Sequence, residues 1–507
     1  MSNLTIKNWL LPAGSYNDAE LTTLIEDING VTIAALVVTN TSANAGTFSI
    51  AIADFYLGQT AIDIVVDKAL GAGEQYTLDM RSLNLLGGQL LKVSSATAAD
   101  IGFLASGVID SSVAGIPEYK AARVFGSADP GRAFVLDFDG TIYGAGGNYD
   151  STLGIGDGLY EEIQVFTPTT TALAISQDPL RIGDFSMSWI NTYFINDDNA
   201  TMHACGYSGG NNTCDVDNPP VYLDDFTQFR TPAKYVTAQE YMVMFIGTDD
   251  KLYAVGDGGW GQFGQGDYES YEEVTELSFP GATPVAVESG WYHAVVLDSD
   301  GKIWGAGADW NGQLAGAGAG GDVVTWTELD LNNFANELPS ALYTGLENTF
   351  YTLRGDEGAT NQGVYGCGAN YNWTCGCGDT DDTDRVEFER RSNPRSCVKI
   401  VSSYYSTFFL DNDGTLYCCG SNYDFIFGDA FAAEDAQFNI TEFTTQNSDD
   451  TYKDVAVTDS STLVINQDDV VRVAGSGDYG DSGLNYNVAE SFINFPVPGT
   501  LVPSGIN

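Results

Sequence analysis

The chain has 507 residues, of which 43% are hydrophobic and only 18% charged, so it holds enough apolar material for packed cores and is not typical of a disordered protein. Its 20 basic against 69 acidic groups give a formal net charge of −49. Such an acidic chain excludes nucleic acid as a partner, because phosphates attract Lys and Arg, and the absence of about eighteen consecutive apolar residues predicts no membrane insertion.

The first residues, from Met1 to Pro12, carry one lysine and an apolar run that is too short for a secretory signal. We therefore expect synthesis in a cytoplasm without a signal peptide. The excess of acid agrees with a chain that stays dissolved and resists aggregation in salty water.

The region up to Ser112 predicts a small β-sandwich, because six or seven short runs of strand-forming residues are separated by Gly, Asn and Ser turns. Residues 113–117 then form the predicted linker to a second domain at residues 118–507. The strand candidates are Val31–Val38, Thr47–Ala53, Ile62–Val66, Gln75–Met80, Gln89–Ser94 and Ile101–Val108.

The second region repeats one pattern seven times between Arg123 and Leu484: an apolar strand, an Asp, Asn or Gly turn, and a second strand that ends in glycine. By subtraction, the terminal glycines are 60, 50, 51, 61, 52 and 55 residues apart. A period near fifty predicts a solenoid or a propeller, because one unit cannot bury its own apolar face. The glycines are Gly146, Gly206, Gly256, Gly307, Gly368, Gly420 and Gly475.

The fourth unit is the clearest copy, with Gly290, His293, Asp300-Gly301, Trp304 and Asn311-Gly-Gln-Leu314 in order. These residues resemble the regulator-of-chromosome-condensation (RCC-type) repeat. The resemblance implies an all-β chain with a seven-bladed propeller of four-stranded antiparallel blades. We expect the tail Ser491–Pro498 to pair with the strands near Tyr119–Phe125 and to close the ring.

The phrases Gly87-Gly-Gln-Leu and Phe103-Leu-Ala-Ser-Gly in the first region resemble small sandwich domains of tailed-phage virion proteins. This resemblance implies that residues 1–112 anchor and oligomerise the chain through contacts with other virion proteins. Because virion sites have rotational symmetry, a homo-oligomer is expected.

No catalytic, cofactor or metal site is predicted. His203 and His293 have no nucleophile in a recognisable motif, and the Asp-x-Asp-Gly segments at Asp137, Asp298 and Asp411 are interpreted as hairpin turns rather than calcium loops. The acidic segment Asp379–Asp384 is either a solvated loop or a cation site.

Eight cysteines fall in the second region, and Cys375-Gly-Cys377 lacks the spacing of a zinc or redox pair. They are interpreted first as packing thiols, with a late disulfide such as Cys205–Cys214 or a metal site as alternatives.

Aromatic residues recur in the loops of the repeat, several of them closely after the terminal glycine. They either form one partner-binding face, for a host-surface protein or glycan, or pack adjacent blades together. The candidates are Tyr149, Tyr207, Trp260, Trp310, Tyr371, Trp373, Tyr423 and Tyr479.

Two functions follow as hypotheses. The first is a non-enzymatic virion structural protein in the capsid, neck or tail of a phage, with the propeller displayed for host recognition or decoration. The second is a free regulatory or inhibitory propeller that binds a protein partner. A sugar-cleaving tail enzyme would need a clustered pair of carboxylates, which the sequence alone does not locate.

Overall fold

In the computed structural model, the described residues are 4–14, 22–26, 31–41, 44–54, 62–72, 74–85, 89–95, 101–110, 119–127, 131–138, 140–156, 161–169, 182–197, 199–208, 221–331, 338–353, 363–376, 383–391, 396–428, 436–442, 451–477, 480–482 and 489–495. The predicted linker 113–117 lies outside them. The chain divides into two compact units between Tyr119 and Lys120, with Ile493 to Phe495 assigned to the first unit rather than to the second.

The first unit contains two four-stranded sheets, ordered β1-β8-β3-β6 and β2-β7-β4-β5 among the described residues. Phe48 of one sheet meets Phe103 of the other with ring centroids 6.2 Å apart, so the two sheets bury a shared core. The sequence missed β1 and β2. The strands are β1 (Leu4–Gly14), β2 (Thr22–Glu26), β3 (Val31–Asn40), β4 (Gly46–Asp54), β5 (Ile62–Leu70), β6 (Gln75–Leu85), β7 (Gln89–Ser95) and β8 (Ile101–Asp110).

The second unit is a propeller. In the part of the chain that is described, it comprises seven four-stranded antiparallel sheets, each built from four consecutive strands. The first three are β9 (Arg123–Ser127), β10 (Arg132–Leu136), β11 (Ile142–Gly147), β12 (Glu162–Pro168); β13 (Ile182–Met187), β14 (Asn191–Asn196), β15 (Thr201–Tyr207), β16 (Tyr222–Gln228); and β17 (Ala233–Gln239), β18 (Met242–Gly247), β19 (Leu252–Gly256), β20 (Tyr271–Glu276).

The remaining four sheets repeat this order, and two short 3-10 turns, Tyr371–Trp373 and Tyr423–Phe425, follow the third strand of the fifth and sixth sheets. The strands are β21 (Pro284–Ser289), β22 (His293–Asp298), β23 (Ile303–Ala308), β24 (Asp322–Glu328); β25 (Pro339–Thr344), β26 (Asn348–Leu353), β27 (Gly363–Gly368), β28 (Arg385–Arg390); β29 (Cys397–Ser402), β30 (Ser406–Asp411), β31 (Leu416–Ser421), β32 (Ala436–Glu442); and β33 (Tyr452–Val457), β34 (Ser461–Asn466), β35 (Val471–Gly475), β36 (Ala489–Asn494).

The apolar cores of this unit lie between neighbouring sheets. Tyr193 and Phe245, for example, are fully buried in one cluster shared by the second and third sheets. The second strand of each sheet is almost entirely buried, as in β18 and β22, because sheets cover both of its faces. Each sheet therefore depends on its neighbours for its core, as the repeat predicts.

The seven repeat glycines share one structural role. Each has a positive φ, between 105° and 125°. A Cβ atom at any of them would come within 2.1–2.4 Å of the carbonyl oxygen of a residue in the loop between the first two strands. Any side chain would therefore meet both a steric clash and an unfavourable backbone conformation, which explains why the glycine marks every unit.

The ring closes differently from the prediction. The segment Ala489–Asn494 is the outermost strand of the seventh sheet and is not paired with β9. It precedes Phe495, whose buried ring packs on Tyr119 with centroids 5.7 Å apart. The prediction that the tail pairs with the strands near Tyr119–Phe125 is therefore wrong, although the tail does contact Tyr119 through the ring of Phe495.

Closure instead uses a backbone bridge between Lys120 and Val470 together with side chains on the first strands, which lie innermost in the ring. Asp454 on β33 accepts a hydrogen bond from the Val124 backbone N–H, with 3.1 Å between the two atoms. Asp184 on β13 does the same for the Val236 N–H at 2.8 Å. The junction between the last and first sheets therefore repeats a bond that also joins two consecutive sheets. In both places a carboxylate, rather than an added strand, pairs with a backbone N–H on the innermost edge of the sheet.

Candidate functional site

Two kinds of loop share one face of the propeller. Since successive strands of a sheet run antiparallel, the loop between the first and second strands emerges at the same end as the loop between the third and fourth. The Asp-Gly turns between the second and third strands emerge at the opposite end. We call the former end the loop face. The predicted aromatic candidates that are described lie in its loops, except Tyr207, which is the last residue of β15.

The loops after the third strands are built by a buried polar residue that fixes the turn. The Asp309 carboxylate accepts the backbone N–H of Leu314 at 2.8 Å, and the Asn422 amide oxygen accepts that of Phe427 at 2.7 Å. Both polar residues are almost fully buried. The residue that follows each of them, Trp310 or Tyr423, is directed outward with 42% or 46% of its surface exposed.

Further aromatic residues come from the loops after the first strands. Trp291 and Tyr292 follow β21, and Tyr404 and Tyr405 follow β29. The sequence analysis did not list these four as candidates. The alternation of strand direction could have found them, because it predicts that both kinds of loop reach the same face.

Together these rings form one continuous series. Ring centroids are 4.9 Å apart for Trp260–Trp310 and 5.0 Å for Trp260–Tyr292. The series continues through Trp291 to Tyr404, at 5.5 Å, and ends where Tyr405 meets Tyr423 at 4.8 Å. We define the aromatic arc as Trp260, Trp291, Tyr292, Trp310, Tyr371, Tyr404, Tyr405 and Tyr423.

Acidic groups accompany the arc. The Tyr371 hydroxyl donates a 2.6 Å hydrogen bond to the Glu347 carboxylate. Burial first, and then this bond, raise the pKa of Tyr371 above its usual range. The pKa of Tyr405 is also raised, by burial and then by the charge of Asp459. The arc thus presents neutral phenols beside carboxylates.

Of the other four predicted site residues, two have partners outside the arc, one lies in a turn of the arc and one lies outside the described residues. Tyr149 is half exposed and donates to Glu162 at 2.7 Å, while the Tyr207 ring packs on Tyr222 at 5.5 Å, so both have local partners in the first two sheets. Trp373 lies in the same turn as Tyr371. Tyr479 falls outside the described residues.

The Asp-Gly segments form the hairpin turns, which the aspartate side chains stabilise. The Asp298 carboxylate accepts hydrogen bonds from the backbone N–H groups of Asp300, Lys302 and Ala282 and from the Trp304 indole, at 2.9–3.1 Å. Burial raises the pKa of Asp298, but these bonds outweigh it and hold the pKa below its usual value. No cluster of three or more metal-ligating side chains occurs within the described ranges.

The remaining acidic and cysteine candidates either form hydrogen bonds with the backbone or lie outside the described residues. Asp384 accepts the Asn370 backbone N–H at 3.1 Å, and the rest of the acidic segment, 379–382, lies outside the described residues. Cys214 lies outside them as well, so the Cys205–Cys214 pair is not described. The Cys205 thiol is buried and donates to the Thr152 carbonyl at 3.2 Å.

Both histidines are buried packing residues. His293 pairs through Nε2 with the Thr349 hydroxyl at 3.0 Å, and burial lowers its pKa to about 3. His203 stacks on Phe194 at 4.8 Å, and burial lowers its pKa to about 4. Each imidazole is therefore neutral at physiological pH.

Comparison with known proteins agrees with this geometry. The family model for the regulator of chromosome condensation (RCC1) repeat matches residues 285–313 and 397–425, which cover the first three strands of the fourth and sixth sheets. These segments are RCC1 repeats. The propeller is of the RCC type.

Solved structures support the same fold. Human WBSCR16 has a TM-score of 0.58 and 13% identity over 71% of this chain and 95% of its own. Prp20p, the RCC1 protein of Saccharomyces cerevisiae, has a TM-score of 0.58 and 16% identity over 74% of this chain and 88% of its own. The all-β class and the RCC-type propeller are therefore confirmed. No protein of curated function matches the sequence significantly.

A separate observation concerns the helices of the chain. None of the helices in the described part of the chain has the length and apolar character needed to cross a bilayer.

Proposed function

We propose that the chain is a non-enzymatic recognition protein that binds a partner surface through the aromatic arc. The continuous series of eight rings on the loop face carries this proposal. Trp and Tyr provide most of the binding energy in many interfaces, because they combine a large apolar area with a polar group. The neighbouring carboxylates add acceptors for hydroxyl or basic groups.

The absence of a catalytic role is part of the proposal and has two supports. The neutral, buried histidines have structural partners. The carboxylates of Asp298 and Asp309 are occupied by backbone N–H groups. A general acid or base needs a titratable group that reaches the substrate, and these groups do not meet that requirement.

We place this recognition protein on a tailed-phage particle, as the first unit's resemblance implies. The first unit would attach to other virion proteins and set a homo-oligomeric state, so that several propellers face outward. Several weak sites on one particle bind a host glycan or protein more tightly than one site does, because the later contacts are intramolecular.

The binding role is tested with the full chain and host cell surfaces. We expect Trp310→Ala to weaken binding at least tenfold, because it removes an exposed ring from one end of the arc. Phe138→Ala is the matched control, since Phe138 is 50% exposed and lies in a turn at the opposite end of the sheets. Equal binding by the two variants would contradict the proposal.

The virion setting is tested separately, by mass spectrometry of purified particles of a phage that encodes the chain. We expect the chain at a stoichiometric level. Its absence from particles, together with an arc that still binds a protein partner in solution, would favour the free regulatory or inhibitory propeller instead.

A further inference from the structure

The seven first strands surround a cavity of about 200 Å³ on the axis of the ring. Its lining consists of the last residues of these strands, together with Gly345 and Leu346 at the start of the loop that follows β25. The cavity therefore lies at the end of the channel that faces the aromatic arc. Since roughly 10–15 Å³ is enough for one water molecule, it has room for a group of several atoms.

Glu288 brings a carboxyl group to this cavity. Its carboxylate accepts no hydrogen bond from the described residues, and the charged group that acts on it is another carboxylate, Asp184. Burial first, and Asp184 second, raise the pKa of Glu288 well above its usual value. The ionised form of Glu288 is therefore unfavourable, and a bound positive charge would favour it.

The basic residues on the first strands are already paired elsewhere. Lys399 lines the cavity, but its ammonium group binds the Asp454 carboxylate at 2.5 Å. Arg123 lies 3.7 Å from the same carboxylate and donates to the Ile182 carbonyl at 3.3 Å. No basic group among the described residues is therefore left to neutralise Glu288.

Several hydrogen-bond donors on the wall of the channel are already occupied. The Ala238 N–H is bound by the Ser186 hydroxyl, and the Ser289 N–H by the Thr237 hydroxyl. The Thr344 hydroxyl donates to the Ser289 carbonyl at 2.8 Å. A ligand that brings donors and a positive charge suits the carbonyl and carboxyl acceptors of this wall, and an ammonium or guanidinium group brings both.

We propose that the cavity binds the ammonium or guanidinium group of a Lys or Arg side chain from the protein partner that docks on the aromatic arc, with Glu288 as its counter-charge. This inference rests on the proposed recognition role and specifies the partner's chemistry. Charge complementarity supports it, since a net charge of −49 attracts basic surfaces and the cavity opens beside the arc.

The test uses the full chain and a small probe, so that it does not depend on the partner. N-acetyl-lysine-methylamide is titrated by NMR or calorimetry, and N-acetyl-norleucine-methylamide serves as the uncharged control. We expect the lysine probe to bind and the norleucine probe not to bind. Affinity should rise with pH as Glu288 ionises, because the cation needs the ionised form of this side chain.

Two variants identify the site. Glu288→Gln keeps the shape of the side chain and should weaken lysine-probe binding at least tenfold, whereas Asp250→Asn, an exposed acid at the opposite end of the ring, should leave it unchanged. A wild-type chain that does not bind the lysine probe, or an E288Q variant that binds it equally well, would overturn the inference. The recognition role fails independently, if arc variants retain partner binding.

Discussion

Replacing Asp454 with alanine should weaken the ring at its junction. The carboxylate is 9% exposed, binds Lys399 at 2.5 Å and accepts the Val124 N–H at 3.1 Å. An unsatisfied buried N–H costs about 1–3 kcal/mol, and breaking a fully buried ion pair about 3–5 kcal/mol. Because Lys399 is 25% exposed and can regain water, the ion-pair cost is reduced, and we expect a total of about 2–4 kcal/mol.

Urea unfolding of the full chain measures this loss. Seven of the eight tryptophans follow Lys120, so their fluorescence reports mainly on the propeller. Asp454→Asn keeps an acceptor for Val124 and should cost about half as much. Asp250→Ala breaks an exposed pair with Lys234 and should cost about 0–1 kcal/mol. If D454A unfolds at the same urea concentration as D250A, the junction is not held by Asp454.

Three further predictions concern buried titratable groups. Burial raises the pKa of Asp184 to about 6, so its contribution to stability is present below about pH 4 and is lost as the pH rises through 6. Asp184→Asn should therefore stabilise the chain at pH 7–8, by up to about 3 kcal/mol, and have no such benefit below pH 4, as read from urea midpoints. For His293 the pH dependence of stability has the opposite sign, because its pKa is lowered to about 3 and stability is lost as the pH falls below about 6.5. In a His293→Gln variant, the urea midpoint should therefore change less between pH 7 and pH 5 than it does in the original chain. For the thiols, mass spectrometry after alkylation should find Cys397 modified slowly in the folded chain and Cys418 only after unfolding, since Cys418 is fully buried; rapid labelling of Cys418 would contradict its packing.

The repeat could be predicted because one backbone requirement recurs. Gly307 and its six counterparts must be glycine, since a carbonyl oxygen lies where a Cβ would be. That requirement leaves a mark in the sequence at every unit. The side-chain bonds that close the ring leave no such mark, because Asp454 and Asp184 occupy matching places while the other first strands use different residues there.

The aromatic face could be predicted only in part, for a related reason. Trp310 and Tyr423 follow a fixed distance after the repeat glycine, so spacing alone identifies them. Trp291 and Tyr404 come from a different loop of the unit, and their contact of 5.5 Å joins the fourth sheet to the sixth. Contacts between loops so far apart in the chain depend on the curvature of the ring, which no single repeat encodes.

The contiguity of every sheet has a consequence for how the chain is made. Because β33 to β36 follow one another, as do the four strands of each earlier sheet, a growing chain can complete one sheet before the next has been synthesised. Most pairings then span short stretches of sequence, which favours rapid formation. The contacts between the seventh sheet and the start of the propeller must wait for nearly the whole of it, such as the Asp454–Val124 bond and the bond from the Ala121 N–H to the Asp469 carbonyl. Synthesis would therefore produce an open arc of stacked sheets, and the ring would be sealed late, when the seventh sheet meets a strand that left the ribosome long before.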